Sequence, residues 1–129
     1  MIQALKNAII TKAVTISGIS ASNLFYVQAP DGKSGMYVVY SGVPYEKQWD
    51  SMAQFYPVPV QFNFYGPVEA TVQTAVEAFE AVMDFATLTV SGYTFIHCIP
   101  TVPNLSSTKV DNVWQSVLTY MIEISKLRS

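Results

Sequence analysis

The sequence predicts an α+β domain: a mostly antiparallel sheet of four to five strands with two helices packed on one face. Segments with apolar residues at alternate positions, the period of a strand, lie on both sides of one strongly amphipathic helix. A second helical pattern occupies the N-terminus, and strands that cluster around a helix instead of alternating with helices favour α+β. The 129 residues suit one domain, which we assign to residues 1–129.

The N-terminal part predicts a helix followed by two strands. Within the first sixteen residues, one helical stripe contains Ile2, Leu5, Ile9 and Ile16. The β-branched residues before Gly18 favour an end of the helix there. Residues 23–28 and 36–40 then have strand composition, and the Pro30-Asp31-Gly32 sequence between them is a turn signal.

Residues 43–56 have no clean period, so we predict an irregular connection. Large aromatic groups are seldom left in water. We therefore expect this connection to pack on the domain or on a neighbouring molecule, and its candidate packing aromatics are Tyr45, Trp49, Phe55 and Tyr56.

Residues 58–65 give the clearest strand of the first half, with Val58, Val60, Phe62 and Phe64 on one face. Pro59 cannot donate a ladder hydrogen bond, which favours an edge position or the entry of the strand. Gly66-Pro67 predicts a helix start. The apolar stripe of that helix is Val68, Val72, Val76, Phe79, Val82, Met83 and Ala86, and its acids are Glu69, Glu77, Glu80 and Asp84.

The C-terminal part predicts two more strands separated by a loop. Residues 93–99 form the first strand, and residues 100–111, rich in Pro, Ser and Thr, are expected to be irregular. Residues 113–125 alternate throughout, with Trp114, Leu118, Tyr120, Ile122 and Ile124 on one face. Such a strand is long enough to reach beyond its own domain.

The composition points to an assembly component. Only 12% of the residues are charged, against roughly a quarter in an ordinary soluble domain. A monomer of this composition would expose much neutral and aromatic surface, which tends to associate. The net charge of −2 and the scattered lysines argue against nucleic-acid binding by the chain itself, and the short apolar runs argue against a membrane span.

The residues that carry catalytic chemistry elsewhere are not arranged for it here. His97 and Cys98 are neighbours on a predicted strand and therefore point to opposite faces, so they cannot form a nucleophile–base pair. The helix acids are interpreted as a solvated face. Asp31 to Gly35 lacks the spacing of a phosphate loop. We predict no enzyme, no cofactor and no metal.

The order and texture of these elements resemble the tail terminator, or tail completion, proteins of long-tailed bacteriophages, also called minor tail or tail-to-head joining proteins. After the N-terminal helix, the residues that carry the resemblance form the segments 37–42, 58–66, 93–99 and 114–120. The resemblance implies a virion protein of the tail or neck, made in the host cytoplasm. It further implies a ring of six subunits that caps the tail tube, docks onto the head-completion or connector protein, and lets DNA pass through its lumen.

Two alternatives remain: another phage neck or tail-tube component, and a small-molecule enzyme or binding protein that uses His97 and a carboxylate in an apolar pocket. For the assembly hypothesis we expect two loops at the ends of the sheet to contact neighbouring subunits. In residues 29–35 the candidate contact residues are Asp31, Lys33 and Ser34, and in residues 100–111 they are Pro103, Asn104, Leu105 and Lys109.

Overall fold

The structure, a computed structural model, describes residues 1–42, 48–49, 52–102 and 108–127. Within these residues the chain forms two helices and seven strands. In chain order they are α1 Gln3–Ala13, β1 Leu24–Tyr26, β2 Tyr37–Gly42, β3 Gln48–Trp49, β4 Ala53–Gly66, α2 Glu69–Met83, β5 Thr94–Val102, β6 Thr108–Val110 and β7 Val113–Leu127. The predicted α+β class is confirmed. Neither of these helices is long and apolar enough to cross a membrane.

The strands form one sheet whose main path runs β1-β2-β4-β7-β5, with β3 added beside β4 and β6 beside β7. All 14 residues of β4 pair with β7, so this antiparallel ladder forms the centre of the sheet. β1 runs parallel to β2, and the other pairs are antiparallel. The mostly antiparallel sheet is therefore confirmed.

One face of the sheet forms the core, and the strand periodicity decides which residues lie there. The even-numbered residues of β4 from Tyr56 to Phe64, and of β7 from Ser116 to Ile124, are buried. Phe79 of α2 packs on this face, with its ring 4.7 Å from that of Phe62 between centroids. Leu5 and Ile9 of α1 belong to the same core cluster. The alternation predicted for both long strands is confirmed.

The prediction of an irregular connection up to residue 56 is wrong at its C-terminal end. β4 already begins at Ala53, and Gln48–Trp49 forms β3 against it. Pro59 is also not at an edge, because β4 lies between β2 and β7 and Pro59 pairs with Met121. On the other side of β4, Val60 pairs with Gly42 of β2 and Phe55 pairs with Gln48 of β3.

The prediction of an irregular segment over residues 100–111 is also wrong in part. β5 continues to Val102, opposite Thr119, and β6 starts at Thr108, opposite Gln115. Asp111 and Asn112 then connect β6 to β7 with φ of 50° and 64°. Two successive positive φ angles define the tight hairpin turn that Asp and Asn tolerate best. The residues on both sides of 103–107 therefore pair with β7, although the segment has no alternating pattern. Strand pairing can hold residues that lack such a pattern.

The second helix begins at Glu69, two residues after Pro67, and its buried side chains are Val72, Ala75, Val76, Phe79 and Met83. Val68, assigned to the apolar stripe, is instead 53% exposed just before the helix. The turn into α2 is tight, because a Cβ on Gly66 would lie 2.8 Å from Cγ2 of Val72. A glycine is therefore needed at this junction of strand and helix.

Candidate interaction surface

The second face of the sheet carries the side chains that alternate with the core, and we call it the open face. Strand alternation and the pairing register assign it Phe25, Tyr37, Val39, Ser41, Phe55, Pro57, Pro59, Gln61, Asn63, Tyr65, His97, Ile99, Gln115, Val117, Thr119, Met121, Glu123 and Ser125. These side chains are half-buried, except for Ile99, which is 37% exposed. The core face, by contrast, is closed to solvent along the middle of both long strands.

The open face has almost no charge. Tyrosines apart, its ionisable side chains among those just named are Glu123 of β7 and His97 of β5, which are opposite each other in the register. His97 Nε2 lies 3.5 Å from Glu123 Oε2. The centre of the face is formed by apolar groups and neutral amides, such as Val117 beside Asn63 and Met121 beside Pro59. A broad, uncharged, partly apolar surface is typical of a protein–protein contact.

An aromatic cluster lies at one corner of the open face. The rings of Tyr37 and Tyr65 stack with centroids 5.1 Å apart, and Phe25 meets Tyr37 edge-on at 6.4 Å. Gln115 Nε2 donates a 3.5 Å hydrogen bond to the Tyr65 hydroxyl. Burial, and then the neighbouring Tyr37, raise the pKa of Tyr65. Rigid amphipathic rings of this kind dominate the energetics of many interfaces.

The structure brings one of the predicted contact loops to this corner. Residues 27–33 border a shallow groove of about 480 Å³ whose other wall is formed by Tyr37, Val39 and Tyr65. Asp31 and Ser34 are exposed. Lys33 Nζ donates a 3.1 Å hydrogen bond to the Ser22 carbonyl and lies 5.6 Å from the centre of the Phe25 ring.

Of the other predicted contact residues, the structure describes Lys109. Lys109 lies in β6, and its Nζ is 5.5 Å from the centre of the Trp114 ring. Pro103, Asn104 and Leu105 lie outside the described residues, so their role as contact residues stays a prediction.

The candidate packing aromatics divide between the two faces. Phe55 is half-buried on the open face, whereas Tyr56 is buried and meets Tyr93 edge-on at 5.7 Å. Trp49 lies in β3, opposite Gln54. Tyr45 lies outside the described residues.

His97 and Cys98 point to opposite faces, as predicted. Cys98 pairs with Ile122 and is buried on the core face, where its thiol donates a 3.5 Å hydrogen bond to the Met83 carbonyl. Burial, and to a lesser extent Asp84, raise the pKa of Cys98 to about 12. A thiol with so high a pKa is a poor nucleophile at neutral pH. Within the described residues, no three His, Cys, Asp or Glu side chains come together as metal ligands would.

The interpretation of the α2 acids as a solvated face is wrong for Asp84. This residue ends the helix, and its Oδ1 accepts a 2.6 Å hydrogen bond from the hydroxyl of Tyr120, a buried residue of β7. Burial, and then this hydrogen bond, raise the pKa of Tyr120. Burial also raises the pKa of Glu80, helped by Asp84 and Glu77. Sequence spacing identifies neighbours along a helix, but it does not reveal a tyrosine 36 positions further along the chain.

We expect Tyr120→Phe to lower the free energy of unfolding by about 1.5–3 kcal/mol, the usual contribution of a hydrogen bond to a charged group. The variant keeps the buried ring and removes only the donor to Asp84. Asp84→Asn, which retains an acceptor oxygen, should cost less. Urea denaturation of both variants at pH 7 measures the difference, and a change below about 0.5 kcal/mol in Tyr120→Phe would contradict this account.

No known protein-family model matches the sequence, and no curated protein resembles it significantly. The fold, in contrast, is similar to that of solved structures. One is a chain from a structure described as the virion of a native gene transfer agent particle: the TM-score is 0.59, the identity 13%, and the alignment covers 96% of this chain and 99% of the other. A second solved structure has a TM-score of 0.48 at 13% identity, too low to support an argument. At these identities the first similarity establishes a shared fold.

Proposed function

We propose that this protein is a structural subunit of a phage or phage-like particle, without enzymatic activity, and that it acts as the tail terminator. The observation that carries the proposal is the similarity to the gene transfer agent virion chain, because it spans nearly the whole of both chains. The low charge of the sequence and the few charged side chains of the open face support the same conclusion.

The proposed mechanism is geometric. In this mechanism the sheet, with its 14-pair central ladder and helix α2 packed on its core face, acts as a stiff wedge. Copies of such a wedge arranged around an axis close into a ring. One end of the ring would rest on the tail-tube protein and the other on the head-completion or connector protein. A net charge of −2 suits a lumen through which DNA slides without adhering, since like charges repel phosphates.

We expect the protein to form a closed homo-oligomer, with six copies of the 14.3 kDa chain as the predicted number. Light scattering coupled to size-exclusion chromatography measures this mass directly. In cells that produce the particle, loss of the gene should leave heads and tails that do not join. A chain that stays monomeric at high concentration and is dispensable for joining would refute the tail-terminator proposal.

A different ring number, or a place elsewhere in the neck, would favour another neck or tail-tube component. Turnover of a small molecule by the purified protein would instead favour the enzyme alternative.

A further inference from the structure

We propose that the open face is the surface through which one copy of this chain binds the next copy in the ring. This inference rests on the proposed function, because it assigns a surface to the oligomer inferred there. Four features of the described residues support it: the size of the face, its low content of charged side chains, its aromatic corner, and the protection of the sheet edges.

The size of the open face matches what a stable contact needs. The five strands of the main path have 3, 6, 14, 15 and 9 residues in the order β1-β2-β4-β7-β5. With a rise of about 3.3 Å per residue and a spacing of about 4.8 Å between strands, the face covers roughly 750 Å², close to the roughly 800 Å² that each partner typically contributes to a specific interface.

The charge of the open face suits a second copy of the chain better than a charged partner. Tyrosines apart, its ionisable side chains are Glu123 and His97, which lie opposite each other with Oε2 and Nε2 3.5 Å apart. The whole chain carries a net charge of only −2, so a neighbouring copy can approach without strong repulsion. A nucleic acid would instead require a cluster of Lys or Arg, and none lies among the open-face residues named above.

The aromatic corner provides the anchor that most interfaces contain. Tyr37, Tyr65 and Phe25 contact one another within the face and are only half-buried. The exposed Asp31 stands on the rim of the adjacent groove. This arrangement, with aromatic side chains beside a polar rim, is typical of the energetic centre of an interface.

The edges of the sheet, in contrast, are poor sites for joining copies by strand addition. β1 at one edge has only three residues. β5 at the other edge carries register shifts between Phe95 and His97 and between Pro100 and Val102. Short edge strands, irregular pairing and proline are the features by which natural sheets resist edge-to-edge pairing. Association through the face is therefore favoured over association through the edge.

The test introduces a positive charge at the centre of the open face. Val117→Arg and Met121→Arg place arginine on the central strand, and Thr119→Arg does so without removing an apolar side chain. Val68→Arg is the matched control, because Val68 is 53% exposed before α2 and lies off the sheet. We expect each open-face variant to need at least tenfold more protein to form the oligomer in mass photometry, and the control to behave as wild type. Circular dichroism verifies that each variant is folded.

The outcomes separate this inference from the proposed function. If the wild type forms an oligomer and all folded open-face variants do so at the same concentration, the inference is wrong and the ring proposal stands. If the wild type is monomeric in solution and in the particle, the ring itself is refuted. If the wild type occurs as single copies both in solution and in the particle, and the open-face variants fail to enter particles, the face binds another virion protein and the inference is again wrong.

Discussion

We expect Phe79→Ala to lower the free energy of unfolding by about 3–5 kcal/mol, the cost of removing a buried phenylalanine ring. The Phe79 side chain is fully buried. Its ring centroid lies 4.7 Å from that of Phe62, 5.2 Å from that of Phe64 and 6.0 Å from that of Tyr120. The substitution therefore removes the aromatic contacts between α2 and both central strands. Since domains of this size are stable by about 5–15 kcal/mol, the loss is a large part of the total.

The matched control is Phe85→Ala, which removes the same ring from a position that is 73% exposed just after α2. Its effect should stay below about 1 kcal/mol. Urea denaturation followed by circular dichroism measures both variants, at one protein concentration because association also stabilises the fold. Equal losses in the two variants would show that the packing of α2 on the sheet is not the main source of stability.

We expect the protein to lose stability steeply between pH 9 and pH 12. Burial raises the pKa of Cys98 from 9.0 to about 12, and it also raises the pKa values of Tyr40, Tyr65 and Tyr120. These groups are neutral when protonated, so their contribution is fully present below the unfolded-state pKa and is lost as the pH rises through the folded-state value. For Cys98 the loss amounts to up to about 4 kcal/mol.

Cys98→Ala isolates the part that the thiol contributes. In the unfolded chain the thiol ionises at about pH 9 and the tyrosines at about pH 10, so Cys98 is the first of these groups whose contribution falls as the pH rises above 8. We expect the wild type to lose stability between pH 8 and pH 10, and the variant, although less stable at pH 8, to lose less. Urea denaturation at pH 8, 9 and 10 gives both slopes. Identical slopes would show that the thiol is not responsible.

The long strands were predictable because the polarity of each side chain indicates which face of the sheet it lies on. Residues 58–65 and 113–125 alternate between apolar and polar groups, and the structure buries the predicted face of each. Alternation between apolar and polar groups does not show where a strand begins or ends. β4 begins five residues earlier than predicted, at Ala53, and the preceding aromatics gave no period from which to recognise the strand.

Residues whose role depends on distant partners were interpreted wrongly or missed. Pro59 favoured an edge position or the entry of the strand, yet it lies inside β4, which is a central strand of the sheet. Asp84 was assigned to a solvated helix face, yet it accepts a hydrogen bond from Tyr120. Neither feature could be identified from spacing, since both depend on how the strands are ordered in the sheet.

The sequence by itself determined the α+β class, the two buried faces of the long strands and the separation of His97 from Cys98, because each of these follows from local periodicity. Its low charge also indicated association, since composition sums over the whole surface. Only the tertiary structure decided which half-buried residues share the open face, and that Tyr37 and Tyr65, 28 positions apart in the sequence, stack there. That decision depends on strand order and register, which arise from long-range pairing and leave no periodic trace in the chain.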